Sequence, residues 1–394
     1  MPDMYVVAPT TVTVNWGTTG DKTLLTITDN LPAGNKVVLF SVGWDDATDL
    51  SGRGVLKIVH GGTTLVQEGI TRPFNTGHMR SKPVMLFAYH ANAPANAQYT
   101  FIASVTTAAS GWVATLHVQG MVIRLGSTAA FFNTRMVRNI AAGATVTLVS
   151  VNTNFPAGSK VVVLAYVQMG VTSTVGGERF YSAMSIRIRK GGLMVSYNQF
   201  SAGAGYNLYP ALVSLSYFDS NAGANQSYSL EVYNNLSETS QAWGEILAFR
   251  VTDGAFLDTD SVALTSGSQV TVGNLTTTLY GEVGVVGLAA AENTASSNAA
   301  AFNAGDVVLQ KDNSATGQIA NQRGWYIYRT STQGRSGVYS LFRADTGVSN
   351  PSYQVKMTAR ASGINGEAKI VAFTFTPRPV ARRKRLRLVS VGRV

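Results

Sequence analysis

The chain has 394 residues, 45% apolar, 9% aromatic and only 13% charged, where globular domains usually carry ~25% charged residues. It has no cysteine, which excludes disulfides, thiolate metal sites and thiol nucleophiles, and no apolar run nears the ~18 residues of a spanning helix. The net charge is +10, but seven basic residues and no acid follow position 377, so residues 1–377 carry only +3; a body that tracks phosphates with Lys and Arg spread over one face is excluded.

Single hydrophobic cores stop growing near roughly 250–300 residues, so two or three domains are expected. The opening Met1-Pro2-Asp3-Met4 lacks a basic region followed by an apolar stretch, and no secretory signal is expected. Thr11-Val12-Thr13-Val14-Asn15-Trp16 then alternates polar and apolar, the period of a strand. Leu31-Pro32-Ala33-Gly34-Asn35-Lys36-Val37-Val38-Leu39-Phe40 reads as a turn entering a second strand. After Trp44 comes an acidic stretch, Asp45-Asp46-Ala47-Thr48-Asp49, read as a loop between strands. Asp45, Asp46 and Asp49 could supply oxygen ligands to calcium; Asp is equally a turn former through its own backbone. Val55–Val59 is another alternating strand, ending at His60 before the turn Gly61-Gly62. A loop rich in Asn and Ala, residues 92–98, leads to Tyr99, and Met121–Leu125 reads as a closing strand.

These landmarks recur in the same order. Phe155-Pro156-Ala157-Gly158-Ser159-Lys160-Val161-Val162-Val163-Leu164 repeats the segment at Leu31, 124 residues on, and Val285-Val286-Gly287-Leu288-Ala289 is a degraded copy another 124 residues beyond Val161. The loop and tyrosine return at 221–228 and 345–353, placing Tyr228 and Tyr353 after Tyr99. Ile246–Val251 and Ile370–Phe375 are the matching closing strands. The expectation is three homologous units, 1–126, 127–254 and 255–376, followed by a basic tail, 377–394. Ser185–Ile188 and Ser227–Val232 alternate as well, and Gly, Asn, Pro and Ser break such runs every 8–12 residues, the spacing of an all-β sandwich or barrel. The fold class is therefore all-β, three tandem β-sandwich domains. About 125 residues hold roughly eight strands, the count of a jelly roll; an immunoglobulin-like sandwich, nearer 100 residues, is the alternative.

Catalytic and cofactor chemistry find no motif. All four histidines, His60, His78, His90 and His117, fall in the first unit and at no metal-ligand spacing; His60 reads as a turn residue and His117 as a strand-surface residue. No Ser or Thr sits in a nucleophile elbow, and no glycine-rich turn is followed by Lys-Ser or Lys-Thr. No enzyme activity, cofactor or catalytic residue is expected. Trp44, Trp112, Trp243 and Trp325 read as packing residues, with stacking on sugars or bases as the alternative. In the tail, Arg382, Arg383, Lys384, Arg385 and Arg387 alternate in part with Leu and Val. Those five residues are candidates for partner binding, by strand addition to a neighbouring subunit, by lying on an anionic membrane, or by contacting nucleic acid, beside the plain reading of a disordered charged end.

In length, in three units of about 125 residues and in β-only composition, residues 1–376 resemble the turret proteins of turreted icosahedral archaeal viruses, which have a triple jelly-roll fold. The resemblance rests on architecture and carries over no site residues. It implies a viral structural protein at the virion surface, clustered around capsid vertices as a cyclic homo-oligomer, a pentamer. Its partners would be a capsid or penton-base protein and a host-surface glycan or receptor. A carbohydrate-binding adhesin, or a phage fibre or decoration protein, is the alternative.

Overall fold

Runs rich in valine, threonine and tyrosine stay extended because β-branched and aromatic side chains suit a pleated, half-buried surface. The computed structural model describes residues 3–15, 17–45, 53–71, 84–107, 113–126, 130–133, 138–171, 182–202, 211–234, 239–293, 306–312, 320–323, 334–335, 339–359 and 363–377. Among these residues the chain forms twenty-six strands and no helix. The strands make six sheets, paired along the chain as three sandwiches, here termed modules.

Module 1 contains β1 (Met4–Asn15), β2 (Gly20–Thr28), β3 (Gly34–Asp45), β4 (Arg53–His60), β5 (Thr63–Thr71), β6 (Val84–Ala93), β7 (Gln98–Thr107) and β8 (Val113–Gly126). Its sheets run β1-β8-β3-β6 and β2-β7-β4-β5, the strand order of an eight-stranded jelly roll. Module 2 begins with β9 (Ala130–Asn133) and β10 (Arg138–Ile140), which together take the place of β1. It continues with β11 (Thr145–Asn152), β12 (Ser159–Val171), β13 (Ser182–Lys190), β14 (Leu193–Ala202), β15 (Ala211–Ala222), β16 (Ser227–Asn234) and β17 (Ser240–Val251). Module 3 contains β18 (Asp253–Leu264), β19 (Gln269–Thr276), β20 (Tyr280–Asn293), β21 (Asp306–Lys311) and β22 (Ala320–Arg323). It ends with β23 (Gly334–Arg335) and β24 (Tyr339–Ser349), which share the place of β6, then β25 (Ser352–Thr358) and β26 (Ile364–Thr374). Both later modules repeat the order of the first, so the topology is jelly-roll and not immunoglobulin-like.

The repeat also holds at single hydrogen bonds. Asn96, Asn225 and Asn350 sit at φ of 51°, 53° and 51°, the left-handed region that Asn tolerates and most residues avoid. Each donates its main-chain N–H to one carbonyl, that of Leu31 (3.0 Å), Phe155 (3.2 Å) or Leu279 (2.9 Å). Beyond the Pro-Ala-Gly turn, however, the copies slip by one residue. Gly34 pairs with Ala93, whereas Ser159 pairs with Ala222, and both strands then cross a bulge. Lys36 thus lies opposite His90, while Val161 lies opposite Asp219 and Val283 opposite Asp345. One residue of slip turns every later side chain to the other face. Lys36 is buried inside its sandwich against Asp29 at 2.9 Å, whereas its sequence match Lys160 points outward to Asp253 at 2.5 Å.

Two kinds of sheet result. In β16 burial alternates residue by residue, as in a sheet with one wet face. Val37–Val42 and Val161–Val167 are instead buried at every position, as strands covered on both faces are. The second cover comes from the other modules. In β20, Val285 and Ala289 join module 3's own interior, while Val286, Leu288 and Ala290 join a larger core continuous with modules 1 and 2.

Candidate functional site

Two features of this arrangement bear on function: the contact that closes the modules into a cycle, and a polar node repeated once in each module.

Each contact sets the strand at the β6 position of one module against the inner sheet of the next. β24 lies across β1, β3 and β8. There the Gln119 side chain, 1% exposed, accepts from the Phe342 N–H (2.9 Å) and donates to its carbonyl (2.6 Å), doing for β24 what a neighbouring strand would do. The Ser41 hydroxyl donates to the Ser340 carbonyl at 2.6 Å. β15 lies in the same way against β18, β20 and β26. A Cβ on Gly254 would come within 2.6 Å of the Phe218 ring, so the close approach depends on that glycine. Tyr217 meets Phe256 edge-on at 5.6 Å. β6 lies beside β15, and Phe87 meets Tyr166 of β12 edge-on at 5.0 Å. The start of β1 completes the closure, since the N–H groups of Asp3 (2.6 Å) and Met4 (3.1 Å) donate to the Glu282 carboxylate. Burial pushes that carboxyl up, and the two N–H groups pull it partly back. Head-to-tail contacts that return to their start form a closed cycle; here the cycle has three members on one chain.

The polar nodes are built on Tyr99, Tyr228 and Tyr353, the second residues of β7, β16 and β25, all fully buried. Their hydroxyls meet a side chain on the preceding inner-sheet strand: Asp219 Oδ2 for Tyr228 (2.7 Å), Asp345 Oδ2 for Tyr353 (3.1 Å) and His90 Nδ1 for Tyr99 (3.1 Å). Directly across from each tyrosine stands Lys190, Lys311 or His60. In module 2 the node holds an ion pair between the sheets, Lys190 to Asp219 at 2.8 Å. In module 3 Arg343 pairs with Asp345. Module 1 replaces the lysine and the aspartate with His60 and His90, whose rings lie 4.6 Å apart at 54°. Burial chiefly, then His60 and Lys36, hold His90 below the usual histidine range. Burial and the adjacent carboxylates push all three tyrosine hydroxyls well up.

Several sequence expectations shift here. His60 is the last residue of β4 and part of a node, not a plain turn residue. His117 lies on β8 as expected but is only 9% exposed, with Nδ1 at 3.2 Å from the Thr11 hydroxyl, so it is not on the surface. Asp45 closes β3 instead of opening a loop; its side chain, with Asp46 and Asp49, lies outside the described residues, so the calcium candidate has no geometry. Among the described residues no cluster of three metal-ligating side chains occurs. The tail candidates Arg382, Arg383, Lys384, Arg385 and Arg387, together with His78, Trp112 and Trp325, also lie outside the described residues. Trp44 and Trp243 have described backbones on β3 and β17 only. The nodes leave a trace in the sequence, where His90 and Asp219 each stand nine residues before a landmark tyrosine, and His60 and Lys190 each precede Gly-Gly.

No family model matches the chain, and no curated protein matches it. Among solved structures, N-glycanase F aligns over 65% of this chain and 98% of its own, at 10% identity and a TM-score of 0.31. The infectious bursal disease virus VP2 subviral particle aligns over 95% and 81%, at 12% identity and 0.22. A triple jelly-roll turret protein of an archaeal virus aligns over 90% and 83%, at 11% identity and 0.18. At these scores the likenesses bear on neither the function nor the arrangement of the modules.

Proposed function

We propose that the chain is a structural protein of a virus particle, carried at the virion surface around the capsid vertices and without catalytic activity. The observation that supports this reading is the closed cycle. Three jelly rolls bury their inner sheets against one another around a shared apolar core. Because the inner sheets are covered within the chain, contacts with further copies, a capsid or penton-base protein, or a host glycan or receptor fall to outer faces, turns and the basic tail. The vertex position and fivefold copy number come from the sequence resemblance to turret proteins. Electron microscopy and native mass measurement of the full-length protein test the reading; fivefold rings or vertex projections are expected. A protein that stays monomeric at high concentration and binds sugars on a glycan array is an adhesin, and the structural reading fails.

A further inference from the structure

At one place in the fold the three modules use different chemistry. Opposite the buried tyrosine, modules 2 and 3 set Lys190 and Lys311, and they present Asp219 and Asp345 to the tyrosine hydroxyl. Module 1 sets His60 and His90 at the same two positions. We propose that this histidine pair is an acid-sensitive latch between the two sheets of module 1, closed while the imidazoles are neutral and forced open when both are protonated.

The bonding around the pair supports the closed state at neutral pH. His60 Nδ1 lies 2.9 Å from the Gln98 carbonyl, which requires a proton on that nitrogen. His90 Nδ1 lies 3.1 Å from the Tyr99 hydroxyl, and a neutral His90 gives the buried O–H an acceptor there. The groups facing His90 are His60 from β4, Tyr99 from β7, Lys36 from β3 and Asp29 from the turn after β2. Lys36 and Asp29 are both fully buried and bonded to each other, so no unpaired carboxylate in this set is left to offset a second imidazolium. A proton on His90 removes the acceptor from Tyr99, and a second proton, on His60, sets two cations 4.6 Å apart between ring centres.

The sign follows from linkage. The folded module holds the His90 proton less tightly than the unfolded chain, whose histidine titrates near about 6.5. The latch's contribution is therefore complete above that pH, and it is lost as pH falls towards the lowered folded-state value. In module 2 the same place is held by attraction between Lys190 and Asp219.

Hydrogen–deuterium exchange of the full chain between pH 7.5 and 4.5, corrected for the intrinsic rate at each pH, tests the latch. The segment 84–107 is expected to lose protection by about tenfold for each pKa unit by which the fold holds His90 down, while 211–234 and 339–358 change little. The double variant His60→Lys/His90→Asp installs the pair of module 2 and is expected to abolish the loss. His60→Gln/His90→Gln, neutral throughout, is expected to do the same, which keeps the test open if the first variant does not fold. The reverse exchange, Lys190→His/Asp219→His, is expected to add a second acid step at 211–234 beside the one at 84–107. Full protection of 84–107 down to pH 4.5, loss in step across all three segments, or an unchanged loss in the glutamine variant overturns the proposal.

Discussion

Replacing Gln119 by leucine tests whether the cycle is closed by the contact described above. Both main-chain polar groups of Phe342 are held by this one side chain, in a place where Gln119 is 1% exposed and Phe342 is fully buried. Leucine fills the volume but leaves a buried N–H and a buried C=O without partners. Each costs about 1–3 kcal/mol, so the expected loss is about 2–6 kcal/mol, set against the closure alone. Exchange of 339–349 reads that loss locally; about 2 kcal/mol corresponds to roughly thirtyfold faster opening. Glutamate at the same position is expected to be no better. It keeps an acceptor for the Phe342 N–H but turns a second oxygen towards the carbonyl and buries a charge. Segment 211–222, the equivalent strand of module 2, makes no bond to Gln119 and should keep its protection. A loss below about 0.5 kcal/mol, within the range of a neutral surface change, or an equal loss at 211–222, refutes the closure as described.

Two further substitutions probe the modules from within. Lys36→Met leaves the fully buried Asp29 carboxylate without its cation, though still bonded to the N–H groups of Leu31 and Ala97, and should cost about 3–5 kcal/mol in urea unfolding. Adding Asp29→Asn should restore part of that, because the amide oxygen can still accept the two N–H groups; no recovery would show that the ion pair is not the source. Asn225→Ala forces an alanine to φ of 53° and should cost about 1–2 kcal/mol in thermal unfolding. Asn225→Gly should be nearly neutral, and an alanine as stable as the glycine would contradict the strained turn.

The fold class was legible because it follows from short-range pattern. The tyrosines at 99, 228 and 353 each open a strand as the spacing predicted, and Met121–Leu125, Ile246–Val251 and Ile370–Phe375 lie in or at the end of β8, β17 and β26. The unbroken apolar run Val161–Val167 also carried a message. A sandwich with one wet face needs alternation, so an unbroken run requires a second cover. What supplies that cover is a long-range fact that no local pattern encodes. The facing of Lys36 was hidden for a related reason. Identity between the copies at Leu31 and Phe155 is highest across the turn, and the bulge that follows shifts pairing by one without disturbing the letters. The histidine node is obscured in the sequence because His60 and His90 lie on different strands, far apart along the chain. Their meaning emerges only across strands, where His60 and His90 stand in for Lys190 and Asp219.

Joining three modules in one chain changes what the equivalent positions can become. In a trimer of separate subunits any residue appears three times around the axis, so a contact must suit three identical places at once. Here each contact is free to differ. At matching positions on the last strand of each inner sheet, opposite Ser41, Tyr166 and Leu288, stand Gln119, Glu245 and Lys369. Gln119 captures the next strand's backbone, whereas Lys369 pairs with Asp258 of its own sheet. Gly284 leaves space that Met4 of the first strand fills, on a face where Val162 stands in module 2. The same freedom lets one node carry histidines while the other two keep lysine and aspartate. On the proposed latch, acid then loosens the two sheets of module 1 from each other, while the nodes of modules 2 and 3, built on lysine and aspartate, are left as they are.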